Sequence, residues 1–176
     1  KRNVLGHEHP SIASSCNNVG LIHDQLGQYD TAFNFHTKAL LMRENLLEKH
    51  HRDTIASYDN IGVVLMKKRA YLQATEFFLQ AFASQQEVLG EHPETARSCD
   101  SIAEAHYGYG DYETAIEYCR KGLKMRESLY GKNHPQTLSS YHNISMIMEG
   151  INILSHLASG ETPKKRWGTN EFDKIQ

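Results

Sequence analysis

Nowhere in this 176-residue sequence does an apolar run approach the roughly 18 to 20 residues that a membrane-spanning helix requires, so it offers no candidate span. An excess of charge of one sign is missing as well. Lys and Arg number 19 against 21 Asp and Glu, a net charge of -2, so no global positive field exists to draw in nucleic acid. A protein or peptide partner must therefore be recognised locally. Cysteine is scarce and odd in number: Cys16, Cys99 and Cys119 lie far apart, which speaks against a disulfide framework and for reduced thiols in a cytoplasmic setting. None belongs to a paired-cysteine metal motif, and all three are expected as small residues filling a helical interior. Residues 1–10 lack the apolar centre of a secretory signal. No glycine-rich phosphate loop or nucleophile elbow occurs, so neither a cofactor nor intrinsic catalysis is expected.

What the chain does contain is internal repetition, which decides the architecture before any local preference does. Gly27-Gln28-Tyr29-Asp30-Thr31-Ala32 recurs as Arg69-Ala70-Tyr71-Leu72-Gln73-Ala74 and again as Gly110-Asp111-Tyr112-Glu113-Thr114-Ala115, with tyrosines stepping by 42 and then 41 residues. His9-Pro10 returns as His92-Pro93 and His134-Pro135, and at the intermediate station Arg52 stands in place of proline. The one-residue shortfall falls between Gly90 and Pro93, in an entry loop, where deletions are tolerated far better than in packed helices.

Each unit reads as two amphipathic helices. In the first, the small or apolar set is Ala13, Cys16, Val19, Gly20, then Ile55, Tyr58, Ile61, Gly62, then Ala96, Cys99, Ile102, Ala103, then Leu138, Tyr141, Ile144, Ser145. Steps of three, three and one keep these residues on one helical face. Proline suits the first turn because its missing N–H would have no partner there. Between the helices, Gly27 and Gly110 can take the left-handed conformation that ends a helix, whereas Arg69 at the matching site is expected to cost up to about 1 kcal/mol if its backbone does the same. The second helices carry Tyr29, Ala32, His36, Ala39, Leu40, then Tyr71, Ala74, Phe78, Ala81, Phe82, then Tyr112, Ala115, Cys119, Gly122, Leu123, in which alanine and glycine let two backbones approach and tyrosine closes the gap beside them.

Paired helices with Gly or Ala in the first and Tyr-x-x-Ala opening the second resemble the tetratricopeptide repeat, whose usual unit is about 34 residues. The longer period, the His-Pro entry and the exits Met42-Arg43-Glu44 and Met125-Arg126-Glu127 are similar to the kinesin light chain and nephrocystin type, over roughly residues 1–150. The second unit departs from it, ending Ser84-Gln85-Gln86-Glu87. The resemblance implies an all-α fold, a right-handed α-α superhelix, with units at about 7–48, 49–90 and 91–131. Residues 132–158 would form a partial or capping unit, completing an array over 1–158, and 159–176 a flexible polar tail. Residues 1–6 resemble the end of a second helix, so the start of the array is expected to expose a stacking face, through which chains could self-associate. Lys164-Lys165-Arg166-Trp167 is read as a solvated charge run, against a nuclear address, a nucleic-acid contact or a docking segment.

Eleven histidines invite a metal site, but His7-Glu8-His9 lacks the four-residue separation that places two imidazoles on one helical face, and His50-His51 are adjacent; no metal is expected. His23 and His106 share a station with Leu65 and Met148, an interchange that argues for packing. The informative face lies opposite the packed set on the first helices. By the resemblance it lines the concave groove of the array, and Asn18, Asn60 and Asn143 form a ladder like the asparagines that hold ligand backbone, with Ser101 breaking the third rung. An asparagine both donates and accepts, so it can pair with an extended peptide without reading its sequence. Gln25 and Glu104 share this face, Lys67 and Arg97 would meet acidic residues, and Leu21, Val63 and Met146 an apolar anchor. The competing reading is that these asparagines are solvated or brace adjacent helices.

Overall fold

A computed structural model describes residues 9–48 and 50–159, with the side chains of 153–159 excepted. Among the described residues the chain forms seven α-helices and no strand: α1 (Pro10–Gln25), α2 (Tyr29–Leu46), α3 (Arg52–Lys67), α4 (Tyr71–Leu89), α5 (Pro93–Tyr109), α6 (Tyr112–Tyr130) and α7 (Pro135–Ser159). Consecutive helices pack antiparallel-hairpin fashion, α1 on α2, α2 on α3 and so on to α6 on α7, which makes an all-α helical repeat array. No helix of the described residues is long and apolar enough to cross a membrane.

The first helices all begin in the same way. The Nδ1 atoms of His9, His51 and His92 accept the backbone N–H of Ser11, Asp53 and Glu94 at 3.1–3.2 Å, and His134 Nδ1 accepts that of Gln136 at 3.2 Å. The histidine of each His-Pro pair is thus the helix cap, satisfying one of the N–H groups a helix start leaves open, while proline fills the next position. The hairpin turns are equally regular. Gln28 and Gly27 donate to His23 and Asp24, Ala70 and Arg69 to Leu65 and Met66, and Asp111 and Gly110 to His106 and Tyr107. Arg69 takes φ 59° where Gly27 takes 72° and Gly110 takes 94°, so the arginine does adopt the left-handed conformation.

Inside each hairpin, a gap in the first helix receives a ring from the second. A Cβ on Gly20 would lie 2.8 Å from the His36 imidazole, and one on Gly62 would lie 2.4 Å from the Phe78 ring, whereas Ala103 faces the smaller Cys119. The expected small and apolar stations of α2, α4 and α6 are buried, with their opening tyrosines half-buried. Leu138 departs from expectation and is 52% exposed although Ala13, Ile55 and Ala96 at the same station are buried. That station meets the second helix of its own unit, as Ala96 meets Gly122, and α7 runs straight to Ser159 without such a partner among the described residues.

Between hairpins, buried polar side chains join the apolar core across the interface. Arg43 Nη1 donates to Ser57 Oγ at 2.6 Å and to the Asp53 carbonyl at 2.8 Å, while Tyr58 Oη donates to Glu44 at 2.6 Å. Two units later Arg126 donates to Ser140 at 2.8 Å and to both Asp100 carboxylate oxygens, and Tyr141 donates to Glu127. The Arg-Glu exits are therefore fasteners that reach forward to a Ser-Tyr pair in the next helix. Where the second unit has Gln85-Gln86, the forward pair is Ser98-Cys99, and Ser98 donates to Gln85 Oε1 at 2.5 Å.

Candidate functional site

The face opposite the packed stripe of α1, α3, α5 and α7 holds the expected site residues, and the structure brings some of them together. Glu104, Asn143 and Met146 line one pocket of about 340 Å³ with Asp100, Ala103, Tyr107, Cys119 and Ile147. Its buried lining, Ala103 and Cys119, is apolar, while Glu104 and Asn143 are exposed beside Tyr107 and Met146, a build suited to an anchor side chain with orienting polar groups. Beside it a cleft of about 320 Å³ between the starts of α5 and α7 is bordered by Arg97, Asp100, Arg126, Ser139 and Asn143. Asn143 borders both, whereas Ser101, half-buried on α5, lines neither.

On α1 and α3 the expected residues are differently placed. Asn18, Leu21 and Gln25 are exposed on α1, and Val63 is exposed on α3. Asn60 is half-buried, and its side-chain amide donates to Asn17 Oδ1 at 2.9 Å, tying α3 to α1. The same Asn17 oxygen meets His36 Nδ1 at 3.1 Å. This rung follows the bracing alternative, through an asparagine the sequence reading passed over. Lys67 is engaged by Asp24 at 2.7 Å, and Arg97 by Glu94 at 2.8 Å, so both cations already hold intramolecular partners on this face. The Arg97–Glu94 pair is exposed and worth little on its own, so a ligand carboxylate can compete for Arg97, whereas Lys67 meets both oxygens of a mostly buried Asp24 and is held more firmly.

The histidines and cysteines outside this face have structural surroundings. His23 stacks on Phe35 and meets Gln28, and His106 stacks on Tyr118 and meets Asp111, each tying its helix end to the following turn. Burial pushes the Cys99 thiol up to about 12 and the Cys119 thiol up to about 11, which keeps both protonated and unreactive. Among the described residues no group of three or more His, Cys, Asp or Glu side chains is placed to hold a metal ion.

Sequence reasoning missed the buried Thr54, Thr95, Thr137, Ser57, Ser98 and Ser140, which form the polar seam between hairpins. A signal was present: Arg-Glu is followed by Ser-Tyr 14 residues on in two units, and in the unit that departs Glu and Tyr change together, to Gln86 and Cys99, while the serine stays. Only a periodic comparison across units, not the composition of any one helix, carries that information.

Models of the tetratricopeptide repeat match residues 12–53 and, in two overlapping stretches, 53–128 and 100–152. The chain is 33% identical over 93 residues, 52% of its length, to the clustered mitochondria protein of Arabidopsis thaliana. It is 23% identical over 99% of its length to the clustered mitochondria protein homolog of Homo sapiens. It spans only 7% and 14% of these two relatives. Its fold is similar to that of a Podosopora anserina kinesin light chain structure with nearly identical TPR-like repeats, at TM-score 0.68 and 23% identity, covering 80% of this chain and 67% of that one. With capped helix pairs, recurring left-handed turns and a matching model across more than half its length, the chain belongs to the tetratricopeptide repeat family.

Proposed function

We propose that this array is a protein interaction module that holds an extended peptide or a partner's linear segment along the inner face of α1, α3, α5 and α7, without catalysing a reaction on it. The family fold supports a role in protein–protein interaction. The observation that carries the finer reading is the pocket between α5 and α7, where exposed Met146 and Tyr107 stand beside Asn143 and Glu104 around the buried Ala103 and Cys119. An apolar anchor enters that pocket, and Asn143 pairs with the ligand backbone. Cargo or adaptor binding of the kinesin light chain kind in the cytoplasm is the biological form this reading takes.

A pull-down comparing the wild type with an Asn143→Ala, Met146→Ala double variant tests it. Both side chains are exposed, so the variant is expected to keep the wild-type helical circular dichroism while losing partners; retention of every partner removes the pocket from the account. A second reading, a scaffold that associates through the ends of the array, draws support from Leu138, whose exposed side chain on α7 lacks a covering helix among the described residues. Size-exclusion elution that shifts with concentration, and ceases to shift in Leu138→Gln, would favour it.

A further inference from the structure

The cleft between the starts of α5 and α7 has a counterpart one unit earlier, between the starts of α3 and α5, and the two differ at one position that matters. In the later cleft Asp100 faces Arg126, whose two terminal nitrogens donate to its two carboxylate oxygens. In the earlier cleft Asp59 holds the place of Asp100, and Gln85 holds the place of Arg126. Gln85 turns to Ser98 at 2.5 Å. The guanidinium that completes the later site has no equivalent here, and the earlier cleft measures about 600 Å³ against about 320 Å³.

The remaining charges around Asp59 do not replace that guanidinium. From α5, Arg97 faces the carboxyl but is engaged by Glu94, and His92 is engaged as the cap of that helix. From α3 the rim carries Arg52, and His50 before it meets Glu87 of α4 at 3.3 Å. Burial pushes the Asp59 carboxyl up to about 6, with Arg97 drawing it down and Glu94 raising it, so the neighbours under-compensate its charge. The cleft's apolar lining is Ile55, one turn before Asp59 on α3, with Val88 and Leu89 from the end of α4.

We propose that the cleft between α3 and α5 receives an arginine side chain of the bound segment, its guanidinium pairing with Asp59 as Arg126 pairs with Asp100, and its aliphatic neighbours lying on Ile55, Val88 and Leu89. Planar guanidinium suits this place better than lysine, because a carboxylate is met by two parallel N–H donors. Ala56 and Arg97 at the cleft mouth belong to the inner face, so the site lies on the path of the segment proposed above and rests on that reading. Its arginine would be read some distance from the apolar anchor held between α5 and α7.

The test titrates the full chain with acetyl-Leu-Arg-Leu-amide and with its citrulline counterpart, which keeps the shape of the side chain and loses the charge, following the backbone amides of α3 and α5 by NMR. At pH 7.5 the arginine peptide is expected to bind at least tenfold more tightly than the citrulline peptide. Asp59→Asn and Gln85→Arg should each abolish that preference, the first by removing the anion and the second by supplying the guanidinium from within. At pH 5, where Asp59 takes up a proton, the preference should shrink several-fold. Asn143→Ala with Met146→Ala should leave it unchanged, which separates this site from the anchor pocket. Equal binding of the two peptides, no response of either helix, or an undiminished preference in Asp59→Asn overturns the proposal, while the pull-down on the anchor pocket decides the broader reading by itself.

Discussion

Arg69 and His36 each sit where the sister unit has a residue better suited to the place, and each therefore sets a measurable cost. Arg69 holds φ 59° in a turn whose counterparts are glycines, and its backbone makes the same two hydrogen bonds they do. Arg69→Gly is expected to raise stability by up to about 1 kcal/mol, read as a higher urea midpoint with unchanged slope. This site was legible in the sequence because alignment with Gly27 and Gly110 names the required conformation. His36 was legible only as a packed position. It is buried over Gly20 with its Nε2 atom unpartnered, and burial holds its pKa below the ordinary 6.5, Asp24 raising it and Arg43 lowering it further. The unfolded chain takes the proton more readily, so the stability His36 confers is intact above about pH 6.5 and falls as pH drops below that value. His36→Phe, which copies Phe78 over Gly62, should flatten that acid loss; urea midpoints at pH 7.5 and 5.5 that fall in parallel for both chains would assign the loss elsewhere.

At the level of helices, the seam between hairpins is stitched by buried polar side chains, and its strength differs from joint to joint. The joint of α6 with α7 depends on Arg126, which is buried and bonded to Asp100 and Ser140. Arg126→Gln recreates the second unit's arrangement but deprives Asp100 of its partner, and is expected to destabilise the array by about 2 kcal/mol, less than for a fully buried pair because the Asp100 side chain is 35% exposed. Adding Asp100→Asn should recover more than half of that loss; a double variant no more stable than the single one would show that the carboxylate is not what suffers. The existence of paired helices was legible from the three-three-one stripe, because burial of one face imposes that period whatever the residue chemistry. The partners across the seam were not, since Asn60 finding Asn17 and Arg43 finding Ser57 depend on how neighbouring hairpins are angled, which no single stripe records.

For the molecule as a whole, each hairpin touches its neighbours in order, so protection is shared unequally along the row. α3, α4 and α5 are covered by neighbours on both sides, whereas α1 and α7 are covered on one side by described helices. Hydrogen exchange is expected to be at least about tenfold slower in α3 to α5 than in α1 or the latter half of α7, as for a quasi-one-dimensional stack. Uniform protection from end to end would mean that the row unfolds as one block. The array was legible because a periodic sequence samples every station several times; the difference between Asn60, a brace, and Asn143, which lines a pocket, arises from the places where the units stop being copies. The fasteners of the seam join residues only 13 or 14 positions apart, Arg43 to Ser57, Gln85 to Ser98 and Arg126 to Ser140. A duplicated stretch of about 42 codons inserted at a His-Pro junction would thus arrive with its own hook and eye, so such a chain can grow longer by copying, without any residue outside the new segment having to change.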